Sequence, residues 1–335
     1  MLLTRSWISP SLIAALAASV LCALFGTLFP PPANASQPIR VIVSPDGSGD
    51  FQTIQQAIDH APQEGDGRLV IAIRAGVYRE RVVVPLDRPR VTFLGLGKDP
   101  RSTVITYNMS AATAGGTFLS STVDVEGAEF EASNVTIENS YGPGSQAVAL
   151  SVHSDRAVLR HCRLIGWQDT LYAASGRQYY EDCYIEGAVD FIFGNAQAVF
   201  ENCEIRSAGA GYITAQSRTT SDGTGGFVLN HCKLTAAEPG KGVYLGRPWR
   251  PYARVVFLST VMGSHIDPAG WREWHPGETH SLDTAFYAEN DSSGPGGSPA
   301  HREPHTKFLS AAEAKQFATK YFLSSPDGWD PTRDH

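Results

Sequence analysis

The sequence predicts an all-β chain, a single-domain right-handed parallel β-helix with a short N-terminal capping helix and a C-terminal helix packed on its outside. Three observations carry this. Four segments share one rhythm, RHCRLIG at 160–166, EDCYIEG at 181–187, ENCEIRS at 201–207 and NHCKLTA at 230–236, and SNVTIEN at 133–139 keeps it without a cysteine. From Val135 the steps to Cys162, Cys183, Cys203 and Cys232 are 27, 21, 20 and 29 residues, a spacing suited to a solenoid in which each turn is one rung. The intervening segments are short and rich in Val, Ile and Phe, with almost no long helical periodicity. Longer steps then carry outward loops, and equivalent residues stack about 4.8 Å apart as ladders.

The elements follow in chain order. Arg5, an apolar run from Leu12 to about Phe29, three prolines and Ala33-Asn34-Ala35 read as a secretory signal peptide over residues 1–35, cut before Ser36. An uncleaved membrane anchor is the alternative for so long an apolar run, and a lipidated Cys22 is disfavoured by the bulk of Leu21 before it. Without the leader, 26 basic residues face 34 acidic ones, a net charge of −8, and no basic stripe points to nucleic acid. Residues 36–335 hold no linker long enough to separate two domains. Thr53–His60 is expected to be a short helix covering the open N-terminal edge of the strands. Ser310 to about Leu323 has a helical pattern that offers Phe308, Ala311, Ala314, Phe317, Tyr321 and Phe322 to one broad face. Cys162 and Cys232 are expected as small core residues. Cys183 and Cys203 would stack on adjacent rungs, within the Cα range a disulfide tolerates, and are expected to be bridged.

Counting from the cysteines brings the chemistry into register. Asp169 lies seven residues after Cys162 and Asp190 seven after Cys183, so the two carboxyls belong to neighbouring rungs. Two carboxylates that close cannot both ionise cheaply, and the one nearer a cation stays charged. Arg247, in YLGRPW at 244–249, sits two rungs beyond Asp190, about 10 Å along the axis and largely within reach of its side chain. Gln146 falls one rung before Asp169, and Gln168 is beside it. Two amide donors next to a carboxylate pair suit a developing oxyanion. Singly, each of these residues has a structural explanation: an ion pair, an amide ladder, or packing for Trp249.

These residues resemble the pectin methylesterase (pectinesterase) family. The segments that carry the likeness are DGSGDFQTIQQAID at 46–59, GVYRERV at 76–82, GTFLSSTV at 116–123, QAVAL at 146–150, WQDTLY at 167–172, GAVDFIFGNA at 187–196, YLGRPW at 244–249 and AGWREW at 269–274. The resemblance implies that Asp190 is the nucleophile, that Asp169 is general acid and then base, and that Gln146 and Gln168 hold the oxyanion. Arg247 would keep Asp190 ionised, Trp249 would bind the sugar chain, Thr117 and Gln146 would contact substrate, and Tyr172 and Phe191 are cleft aromatics. It further implies methyl-esterified pectin as substrate and no metal or other cofactor; the leader points to a secreted protein, extracellular or periplasmic, with no membrane partner once mature, and a monomer is expected.

Rival readings are a pectate lyase, which would want an acidic cluster for calcium, a retaining glycoside hydrolase, whose carboxyls also sit about one rung apart, a thioesterase, and a non-catalytic carbohydrate-binding solenoid. GPGSQ at 142–146 is no serine-nucleophile elbow, and Pro100 breaks the dinucleotide pattern that LGLGKD at 94–99 begins.

Overall fold

The computed structural model describes residues 37–62, 67–238 and 242–333; the leader expected at 1–35 lies outside them. Within the compact unit Pro38–His335 the chain winds through three faces. One face is an eleven-stranded parallel sheet whose spatial order follows the chain order, from Ile39–Val43 and Leu69–Ile73 to Phe286–Asn290 and Lys307–Phe308. The other two faces form a single network of strands, because the long strands Tyr184–Gly194 and Glu204–Gln216 cross from one face to the other. The first part of Tyr184–Gly194 pairs with Arg163–Ile165, and its last residues pair with Leu171–Ala173. The sequence-predicted β-helix is therefore what forms.

Its corners explain the repeat. The residue before each inward-pointing member of the cysteine ladder is left-handed: Asn134 (φ 57°), His161 (53°), Asp182 (51°), Asn202 (54°), His231 (52°) and Ser259 (43°). Asn and Asp tolerate that conformation better than most residues, so the polar residue preceding each small one marks a bend. Val135, Cys162, Cys183, Cys203 and Cys232 are then buried inside the coil. Asn134 also donates from its amide to the carbonyls of Gly95 (2.9 Å) and Gly97 (2.8 Å), which fixes the neighbouring turn.

The expected Cys183–Cys203 disulfide is absent: both thiols are free and buried. Each instead donates to carbonyls, Cys183 to Glu181 (3.3 Å) and Cys203 to Tyr180 and Glu201 (both 3.4 Å). In-register parallel strands hold equivalent Cβ atoms near the rung spacing of about 4.8 Å, beyond the roughly 3.5–4.5 Å a disulfide accepts. The Cα range alone misled.

The N-terminal end is covered by a helix. The helix Ile54–His60 has Thr53 as its N-cap in a reciprocal capping box with Gln56, and it buries Ile54, Ala57 and Ile58. Glu80, directly after the strand Gly76–Arg79, accepts from the Ile54 (2.9 Å) and Gln55 (3.0 Å) amides. On the outside of the coil, the segment expected as one helix is three short turns, Ala311–Ala314, Lys315–Phe317 and Thr319–Phe322, broken by extended Ala318. The break lets Phe317, Phe322 and Leu323 press onto Val158, Tyr179, Val199 and Val228 of the eleven-stranded sheet, a twisted face that a straight helix would follow less closely. Phe308 and Tyr321 remain exposed. Arg177 anchors the same segment, with a guanidinium that holds Asp155 (2.6 Å) and Asp327 (2.5 Å).

Candidate active site

Stacked strands place the predicted residues side by side. Ala147 donates its N–H to the Gln168 carbonyl (3.1 Å), and Asp169 donates its own to Val189 (3.0 Å), so Gln146, Gln168–Asp169 and Asp190 lie on three successive rungs. Leu171 is in register with Ile192, Ile192 with Thr214, and Thr214 with Gly246. Arg247, directly after Gly246, is accordingly two rungs from Asp190. Its Nε and Nη2 grip Asp190 Oδ1 and Oδ2 at 2.9 and 2.6 Å, a bidentate, charge-assisted pair.

Asp169 (φ 64°) and Asp190 (φ 50°) are both left-handed, and the strand around Asp190 shifts register on either side of Val189. The acid thus sits at a bend that turns its carboxylate outward while Ala188, Phe191 and Ile192 point into the core. Asp190 is 5% exposed and Asp169 9%. Burial and then the Asp190 charge push the Asp169 carboxyl up to about 8, with Arg247 opposing. Burial also raises Asp190, but its hydrogen bonds to Arg247 pull it back. Of the coupled pair, Asp190 is therefore the ionised member and Asp169 carries the proton.

Both carboxyls open into one cleft of about 220 Å³ lined by Thr117, Phe118, Gln146, Gln168, Phe193, Ala215, Arg247, Trp249 and Trp274. Buried Asn139 holds its rim: Nδ2 lies within hydrogen-bond distance of the carbonyls of Met109, Ser120 and Val148 (2.8–3.0 Å). That ties the turn carrying Thr117 to the strand following Gln146.

A family model described as Pectinesterase matches residues 40–326. The chain belongs to the pectinesterase family. It is 42% identical to pectinesterase 31 of Arabidopsis thaliana over 88% of this chain and 93% of the relative. It is 39% identical to a probable pectinesterase/pectinesterase inhibitor 23 of the same plant, spanning 57% of that protein's length. The structure is similar to the pectin methylesterase from carrot, with a TM-score of 0.79 and 36% identity over 88% of this chain and 95% of that one. It also resembles a pectin methylesterase in complex with hexasaccharide VII, with a TM-score of 0.74 and 30% identity over 90% and 99% of the two chains.

In this pectinesterase the cleft gathers Asp169, Asp190, Gln146, Gln168, Arg247, Thr117 and Trp249 as the sequence predicts. Phe191 is a correction: it is fully buried in the core. The bend at Asp190 upsets the two-residue alternation, and Phe193 takes the cleft position instead. Tyr172 backs the wall rather than lining it, with its ring centroid 4.8 Å from that of Phe118 and 4.7 Å from that of Phe193. Sequence reasoning missed Trp274, Phe193 and Tyr212. Trp274 and Phe193 lie within quoted segments, AGWREW and GAVDFIFGNA, but nothing in those segments singles out their rings.

Proposed function

We propose that this pectinesterase hydrolyses methyl esters of galacturonosyl residues in pectin through an acyl-enzyme on Asp190. The ionised Asp190 oxygen attacks the C6 ester carbon, and the carbonyl π electrons move onto oxygen beside the Gln146 and Gln168 amides. When that oxyanion collapses, the C–O bond to the methoxy group breaks, and Asp169 gives its proton to the departing methanol. Asp169, now a carboxylate, takes a proton from water as that water attacks the acyl carbon, and Asp190 leaves as the carboxylate. The new galacturonate then sheds its own proton to solvent.

One observation carries this reading: two adjacent carboxyls in one cleft, of which only Asp190 is gripped by an arginine. The environments push the pair apart, so a nucleophile and an acid coexist at one pH. Trp249, Phe118 and Phe193 supply aromatic surface for sugar rings. The leader-like residues 1–35 support export to where pectin lies.

Methanol release from methylated pectin by the wild type and by Asp190→Asn, with a parallel assay for unsaturated products, tests the assignment. Methanol from the wild type alone, with no unsaturated product, is the expected result. Undiminished methanol from Asp190→Asn defeats the nucleophile, and unsaturated products point to a lyase.

A further inference from the structure

Arg247 uses the edge of its guanidinium on Asp190, and aromatic rings flank the rest of it. The centroids of Tyr212 and Trp274 each lie 4.1 Å from its Cζ. The two rings differ in placement, since Trp274 lines the cleft and Tyr212 does not. Behind Tyr212 the ladder continues. Tyr212 is in register with Tyr244 on the next strand, their rings stack with centroids 5.4 Å apart and 23° between planes, and Arg272 lies 5.5 Å over Tyr244 from the outer side.

The approach of Tyr212 depends on a glycine. Gly211 has φ +152°, and a Cβ there would stand 2.3 Å from the Ala188 carbonyl oxygen. Val189 is the register partner of Tyr212, so the missing side chain lets this strand close against the residues just before Asp190. One strand pairing thus sets both the Asp190 bend and the ring under Arg247.

We propose that Tyr212 is a positioning residue for catalysis: its ring, backed by Tyr244, fixes the plane of Arg247 so that both N–H groups meet Asp190. This rests on Asp190 being the ionised nucleophile. A cation held over an aromatic face gains most when water is excluded, and the Nε–Nη2 edge of a planar guanidinium meets both carboxylate oxygens only when the two groups are close to coplanar. Without the ring, Arg247 is held by Trp274 on one side only, its plane is less fixed, and Asp190 loses part of the interaction that favours its charge. The groups facing Asp190 are Asp169, which disfavours the charge, and Arg247, which favours it; Tyr287 also couples to Asp190, and Glu273 to Tyr287. Loosening Arg247 therefore raises the Asp190 pKa.

The test compares Tyr212→Met, which keeps bulk without the ring, with Tyr212→Phe, which keeps the ring. Methanol release is followed across pH, with a melting temperature for each protein. For Tyr212→Met, kcat is expected to fall roughly tenfold while KM stays within about twofold, and the acidic limb of kcat/KM should move up by roughly one pH unit. Tyr212→Phe should keep the wild-type limb. A Tyr212→Met enzyme that melts earlier yet keeps the wild-type kcat and limb overturns the proposal and leaves Tyr212 as packing. If that variant does not fold, Tyr244→Leu, which removes the ring behind Tyr212, must shift the limb in the same direction by less, and no shift overturns the proposal equally. Asp190→Asn run alongside separates the two readings. An active Asp190→Asn defeats the nucleophile assignment, whereas an inactive one beside an unmoved Tyr212→Met limb defeats this inference alone.

Discussion

Two carboxylate–arginine pairs in this molecule use the same chemistry for opposite ends. Near the C-terminal end Arg302 holds Glu289 at 2.6 and 3.3 Å, with side chains 1% and 2% exposed. Its remaining donors go to the carbonyls of Gly296 (2.7 Å), Pro268 (3.1 Å) and Asp267 (3.4 Å). In the cleft Arg247 holds Asp190 as tightly, but the side chains are 18% and 7% exposed and a second carboxyl stands beside them. A saturated buried pair fastens loops. A pair left open on one side, next to a rival acid, keeps lone pairs for attack. What separates structure from catalysis here is coordination left unfilled, not the ion pair itself.

The sharpest way to break this contrast is to neutralise each acid. Asp190→Asn should cut methanol release by at least about a thousandfold, yet Asn suits the left-handed backbone, so stability should change by no more than about 2 kcal/mol. Glu289→Gln should do the reverse: unfolding in denaturant should show a loss of about 3–5 kcal/mol, because it leaves Arg302 buried without its counter-charge, while kcat per folded molecule holds. Equal activity losses in the two variants would erase the distinction.

Lysine tests geometry rather than charge. Arg247→Lys keeps the cation but loses the fork, and kcat should fall roughly ten- to a hundredfold. Arg302→Lys should cost stability of about 1–3 kcal/mol through unmet carbonyls.

A milder probe is pH. Asp169 must carry its proton to release methanol, so turnover should decline as pH rises through about 8. The stability sign follows from the same shift. An acid whose folded pKa lies above its unfolded value of 3.8 takes up a proton on folding, so its contribution is whole at low pH and is lost as pH rises from the unfolded towards the folded value. Asp169→Asn should therefore flatten the fall in melting temperature over that window.

The smallest expected effect concerns the thiols. With Cys183 and Cys203 free, a reductant should leave the melting temperature unchanged, and thiol titration of the unfolded chain should find both.

Thr117 and Trp249 were reached only through the family motifs, whereas several site residues were legible because their position could be counted from a corner. Asp169 and Asp190 sit seven residues past theirs, and Arg247 and Gln146 could be assigned to rungs from the nearest cysteine. The resemblance placed Phe191 in the cleft, but the bend at Asp190 turns its ring into the core. Trp274 and Tyr212 were invisible because they reach Arg247 across rungs, through ring contacts that no linear spacing encodes. The cysteines were read correctly as a ladder and wrongly as a bridge, since Cα proximity says nothing about where parallel Cβ atoms point. The C-terminal pattern found Phe317 and Phe322, which are buried, but wrongly put the exposed Phe308, Ala311 and Tyr321 on the same face, because helical periodicity could not foresee that a sheet face would divide the helix into turns.

The left-handed corners have a further consequence, for tolerance to change. Each corner resets the position of the chain relative to its neighbours, so the length added between two corners does not accumulate along the coil. Steps of 20 and 29 residues end at the same place on their rungs. Loops beside the cleft can thus lengthen or shorten, altering which stretch of polymer is admitted, while the two acids stay aligned. An insertion between corners alters selectivity; one placed between a corner and its acid moves the chemistry itself.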